Sequence, residues 1–133
     1  MRKALAFVFI SLIVSISACK KTPDTNLSLD NGQRWKANIE TTQGVANMTQ
    51  LMDAFVESDD TKLYNSLSDS LKSEFKMIFK QCTMEGEAHN HLHSFLFPMK
   101  EMFTMLESDD IATCQKGAST FKAHLPQYLE FFE

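Results

Sequence analysis

From Trp35 onward, apolar residues recur at steps of three and four, and four segments carry the pattern. The first, about Lys36–Glu57, aligns Val45, Met48, Met52, Phe55 and Val56. The second, about Thr61–Cys82, aligns Leu63, Leu67, Leu71, Phe75, Ile78 and Cys82. The third, about Glu87–Leu106, aligns Ala88, Leu92, Phe95, Met99, Met102 and Leu106. The fourth, about Ile111–Phe132, aligns Ile111, Cys114, Ala118, Phe121, Leu125, Tyr128 and Phe132. This alternation gives each helix one apolar seam, and no segment alternates like a strand over its length. Ser58-Asp59-Asp60 and Ser108-Asp109-Asp110 follow the first and third segments. Such runs cap the next helix and suit its positive end. The middle break is Thr83–Gly86. Connections this short make consecutive helices antiparallel neighbours, so the expected fold is all-α: an up-down-up-down four-helix bundle over residues 35–133.

Two prolines modify that expectation. Pro98 and Pro126 each remove a backbone donor inside a segment and free a carbonyl one turn back, near Ser94 and Lys122. The seams run through both, which predicts kinks. The alternative for the third segment is a joint near Phe97, with Pro98 in the first turn of a second helix. A faint repeat sets Phe55–Asp60 against Met105–Asp110, as two helical hairpins in tandem or a chance likeness of Ser/Asp corners would.

The chain before residue 35 reads differently. Arg2-Lys3 precede an apolar run over Ala4–Val14, and Ser15-Ile16-Ser17-Ala18 bring mostly small residues to a cleavage point. The apolar stretch, about 15 residues, is short of the roughly 20 a spanning helix needs. Ile16-Ser17-Ala18-Cys19 resembles a bacterial lipobox. That resemblance implies a signal peptide over 1–18, cleavage before Cys19, a diacylglycerol on its thiol and an acyl group on its new amine. Each buried methylene contributes about 0.8 kcal/mol, so two or more chains give a stable membrane anchor. Residues 19–34 are polar and rich in turn formers, and read as a flexible tether.

Charge narrows the partners. The whole chain carries 13 basic and 17 acidic residues, net −4, and losing Arg2 and Lys3 with the leader makes it −6. This excludes a nucleic-acid partner, which needs a basic surface. No Gly-rich phosphate loop, Gly-x-Ser-x-Gly or paired Glu-x-x-His set is present, so the reading is non-enzymatic.

The unusual stretch is Cys82–His93, which holds His89, His91 and His93, with Cys82 and Met84 beside them. His89 and His93, four apart, share a helix flank and can chelate copper or zinc, a thiolate or thioether adding softness. On a helical wheel His91 lies about 60° from the seam and the other two about 100–140°, so one regular helix cannot aim all three at one ion. The competing reading is two solvated histidines and one boundary histidine bonded to a carbonyl. His124 lies about 12 Å and His93 about 9 Å from the shared pole, so they face each other if their helices touch; with Cys82 or Met77 they would make the tightest site. Methionine on the seams reads as core. Haem is a further alternative, through Met48 and His124 without covalent attachment, since no Cys-x-x-Cys-His occurs. Cys82 and Cys114 fall at opposite poles, about 25 Å apart, too far for a disulfide.

The run Cys82–His93 also resembles small helical lipoproteins of Gram-negative bacteria whose activity is not established. This implies a cell-envelope location. The sequence therefore leads to a lipid-anchored helical domain binding a soft metal near Cys82–His93, or else docking an envelope protein.

Overall fold

The computed structural model describes residues 26–133. Its regular structure is helical: α1 (Ile39–Ala54), α2 (Thr61–Gln81), α3 (Gly86–Leu96), α4 (Met99–Leu106), α5 (Ile111–His124), a 3-10 turn (Leu125–Gln127) and α6 (Tyr128–Phe131). Among the described residues there is no strand, only isolated bridges at Asp30–Gln33 and Trp35–Phe132. The all-α class is as expected. No helix of the described residues is long and apolar enough to cross a membrane. The expected leader and Cys19 lie outside the described residues.

The corners form as their sequences dictate. Asp60 Oδ1 accepts from Lys62 N at 3.0 Å, and Ser58 Oγ accepts from Asp60 N at 3.0 Å. Asp110 Oδ2 accepts from Thr113 N at 2.9 Å, and Ser108 Oγ from Asp110 N at 3.1 Å. The repeated Ser-Asp-Asp is thus one capping device used twice, satisfying amide donors that a helix start leaves free.

The prolines act differently from simple kinks. At Pro98 the third segment divides into α3 and α4, although Phe97 (φ −55°, ψ −46°) and Pro98 (φ −60°, ψ −24°) keep helical angles. The break lies in the hydrogen-bond ladder, because proline brings no donor. At Pro126 the chain tightens into the 3-10 turn before α6.

α1 packs on α2 and α5, and α4 packs on α5 and α2. Glycines allow two close approaches. A Cβ on Gly44 would stand 2.5 Å from Ile78 Cγ1, and one on Gly117 would stand 2.8 Å from Met105 Cβ and 3.2 Å from Leu106 N. The core centres on Phe95, Phe121, Phe132, Tyr64 and Tyr128, joined by Met48, Leu71, Ile78 and Met99. Two seam positions depart from expectation. Leu63 is 48% exposed while Tyr64 is fully buried, its hydroxyl donating to Ser58 O at 3.1 Å, and Val56 lies beyond the end of α1, 80% exposed. Buried Ser68 is satisfied by donating to Glu107 Oε1 at 3.0 Å. Hydrogen bonds from Lys72, and then from Ser68, hold the Glu107 carboxyl below its usual range despite desolvation.

Residues 26–34, the described part of the expected tether, carry local structure. Asp30 and Gln33 exchange backbone hydrogen bonds of 2.9 Å around Asn31 (φ +49°) and Gly32 (φ +87°), a two-residue turn of the kind Asn-Gly favours. Leu27 packs on the core, Trp35 Nε1 donates to Ser28 O at 2.7 Å, and Arg34 pairs with Glu133 at 3.3 Å. Beyond them Trp35 N donates to Phe131 O at 2.8 Å and Glu133 N donates to Trp35 O at 2.9 Å. Local turn chemistry and an apolar anchor hold this stretch on the domain, although its polar composition reads as linker.

The two glycine contacts yield a test. Gly117→Ala is expected to cost about 1–2 kcal/mol in denaturant unfolding: overpacking costs ~1–3 kcal/mol, and alanine's better helix propensity returns up to ~1. Gly44→Ala should cost less, because Ile78 is a side chain that can shift whereas Leu106 N is backbone. Equal or stabilising effects at both would mean the helices do not meet there.

Candidate functional site

The geometry around Cys82–His93 begins at the end of α2. Cys82 N donates to Ile78 O at 2.9 Å, closing the helix. Asn38 Nδ2 donates to Gln81 O at 3.1 Å, and Asn38 Oδ1 accepts from Thr83 N at 3.4 Å. Cys82 is therefore held from both sides by the residue preceding α1. It is half-buried against the core. The chain then turns and α3 starts at Gly86.

On α3, His89 and His93 stand one turn apart and half-buried. Their Nε2 atoms are 2.9 Å apart, and Cys82 Sγ is 3.6 Å from His89 Nδ1. The three side chains therefore form a chain, thiol–imidazole–imidazole, with His89 in the middle. Its two ring nitrogens point to different partners. Whichever way the hydrogen bonds run, a single proton lies between the two Nε2 atoms, since two donors or two bare lone pairs would repel at that distance. Phe79 and Phe97 flank the His93 ring at centroid distances of 5.6 Å and 6.3 Å, and are 44% and 59% exposed. Lys100 Nζ lies 4.6 Å from the Phe97 centroid. Desolvation, then the positive charges of His89 and Lys100, hold the His93 pKa below the usual histidine value.

The other two histidines go elsewhere. His91 stacks on Trp35, centroids 4.8 Å apart, with Nε2 3.4 Å from Ser28 Oγ. His124 is fully buried: Nε2 donates to Phe95 O at 2.7 Å, and the ring stacks on Phe95 at 4.7 Å. The Nδ1 atoms of His91 and His124 are buried without a hydrogen-bond partner. Of the predicted ligands Cys82, His89, His91, His93 and His124, the structure thus brings three together in a row and places two apart. Among the described residues, no group of three His, Cys, Asp or Glu side chains is arranged to hold a metal ion. The pairing of His124 with His93 gives way to the Phe95 carbonyl, because α3 ends there and leaves that oxygen without its helical donor. The haem alternative gains nothing from this placement: Met48 and His124 are both fully buried, and the His124 Nε2 proton is committed. Cys82 and Cys114 are free thiols. Cys114 is buried and donates to Ser108 O at 3.1 Å; desolvation raises its pKa.

Sequence reasoning missed Trp35, Phe79 and Phe97 as neighbours of these histidines. Phe79 and Phe97 lie off the apolar seams, and an off-seam aromatic beside a histidine-rich turn is the available signal.

His124 sets a pH dependence. Burial depresses its pKa, outweighing the opposing effect of its bond to Phe95. A depressed histidine adds stability that is complete above the unfolded value near ~6.5 and is lost as pH falls through it towards the folded value. The loss from this residue is expected to reach about 1.4 kcal/mol per pH unit within that window. His124→Gln keeps a donor for the Phe95 carbonyl but cannot titrate. Its unfolding free energy should fall less steeply than wild type below neutral pH; matching slopes would show that His124 is not held neutral.

No protein-family model, curated protein or solved structure matches the chain, so a functional reading rests on this geometry.

Proposed function

We propose that this protein is a lipid-anchored, non-enzymatic protein of the bacterial cell envelope that binds a transition metal ion, copper or zinc, through His89 and His93. The observation that carries the metal reading is the 2.9 Å contact between the two Nε2 atoms beside Cys82. Tetrahedral nitrogen ligands at ~2.0–2.1 Å from zinc lie about 3.3 Å apart, so a small opening of the pair admits an ion. For that, the proton between the rings moves through solvent to the far nitrogen of its own ring. The metal-ready form of His89 carries its proton on Nδ1 and donates it to Cys82 Sγ. A ligating histidine commonly donates its other nitrogen to such a partner, which fixes the tautomer. Cys82 is in this reading an orienting group, and His91 and His124 serve the fold.

The anchor is Cys19, supported by the sequence Ile16–Cys19 after a charged and apolar leader. The helical units form an up-down-up-down four-helix bundle in this reading, with α3 and α4 as one member. Short connections and the packing of α1 on α2 and of α4 on α5 support it.

Two measurements test these readings. Zinc or copper titrated into the full chain should bind, with affinity falling at least tenfold in His89→Ala and in His93→Ala. Cys82→Ala should weaken binding by about 10-fold while keeping it, as loss of an orienting partner does. No uptake by elemental analysis and no thermal shift with either ion would end the metal reading. Mass spectrometry of protein from bacterial membranes should give residues 19–133 plus diacylglycerol and acyl groups; an intact, unmodified 1–133 chain would end the anchor.

A further inference from the structure

We infer that the metal site is shared: a second copy of this chain supplies another His89–His93 pair, and one zinc ion joins two chains through four imidazoles. This rests on the metal reading above and extends it to the partner.

The argument starts from donor count. One chain brings two Nε2 atoms within 2.9 Å of each other, and zinc held by protein alone takes four ligands. Cys82 cannot become the third, because its sulfur meets the opposite nitrogen of His89, across the ring from the Nε2 pair. His91 is turned to Trp35 and His124 to Phe95. No other His, Cys, Asp or Glu among the described residues completes a set of three.

Charge and surface point the same way. His89 stands near the start of α3 and His93 in its last turn, and Lys100 adds positive potential at His93. Two neutral nitrogens in that setting make a weak site, which two further nitrogens would strengthen. The rim is not the polar one that a water-completed site calls for. Phe79 and Phe97 lie on either side of His93 with large exposed areas. Exposed aromatic rings around a central polar group are the composition of an interface core. A two-fold axis through the ion would set each chain's pair opposite the other's, bringing the same patch of both chains together as an isologous contact requires.

Cobalt(II) is the probe, used on the full chain in nonionic detergent. Cobalt should saturate at one ion per two chains with the intense visible bands of tetrahedral coordination. Density-matched sedimentation should show zinc converting monomer to dimer and a chelator reversing it. His93→Gln should abolish both signals. Phe97→Ser, which leaves every ligand in place, should shift the dimer to at least tenfold higher protein concentration. Saturation at one ion per monomer, with the weak bands of octahedral cobalt, would overturn the shared site and leave the metal reading standing. A dimer indifferent to zinc and chelator would overturn it also. Absence of any cobalt or zinc binding would remove both readings together.

Discussion

A helix that ends inside the core leaves last-turn carbonyls without donors, and one buried imidazole answers that need at the end of α3. α3 ends at Leu96 and α4 begins only at Met99, so the Phe95 carbonyl falls in the last turn of α3 and finds its hydrogen bond elsewhere. His124 gives it one at 2.7 Å from the end of α5, and the two rings stack. An unpaired buried carbonyl costs about 1–3 kcal/mol, and so does an unpaired imidazole N–H. Each group therefore cancels the other's penalty. Burial holds the ring towards its neutral form against the opposing effect of the Phe95 bond.

This contact also sets how α3 sits. Its buried side chains are Leu92, Phe95 and Leu96, and Phe95 meets Tyr128 and Phe132 as well as His124. α3 thus rests on aromatic rings from the C-terminal segment. With Phe95 turned inward, the helix period carries His89 and His93 to a flank that meets α2 at Cys82 and Phe79. His91 falls on another side, where Trp35 covers it and Ser28 contacts both rings. The position of the candidate site follows from a core contact at the far end of the same helix.

The parts legible in the sequence are those fixed by neighbours in the chain. Helical periods and the two Ser-Asp-Asp corners need only spacing and local capping. Asn31-Gly32 was equally local, and its turn signal was outweighed by the polar composition around it. Other features depend on groups far apart in sequence. Nothing near His124 indicates that a carbonyl 29 positions earlier awaits its proton. Nothing near His91 announces Trp35. The i, i+4 spacing put His89 beside His93, but their order with Cys82, a row instead of a converging set, depends on how the end of α2 is tied down by Asn38.

The four histidines differ in what each nitrogen is left free to do, and that decides their chemistry better than their number. His124 has one nitrogen committed to a carbonyl and the other bare but sealed in the core, so it serves structure. His91 has a buried Nδ1 and a ring face covered by Trp35, which makes it a packing group. At His89 the committed nitrogen faces Cys82, and the other faces a second imidazole on a half-buried flank. There the two Nε2 atoms stand 2.9 Å apart and share a hydrogen bond. The fold thus spends His91 and His124 on packing and leaves the His89–His93 pair half-buried on the flank of α3.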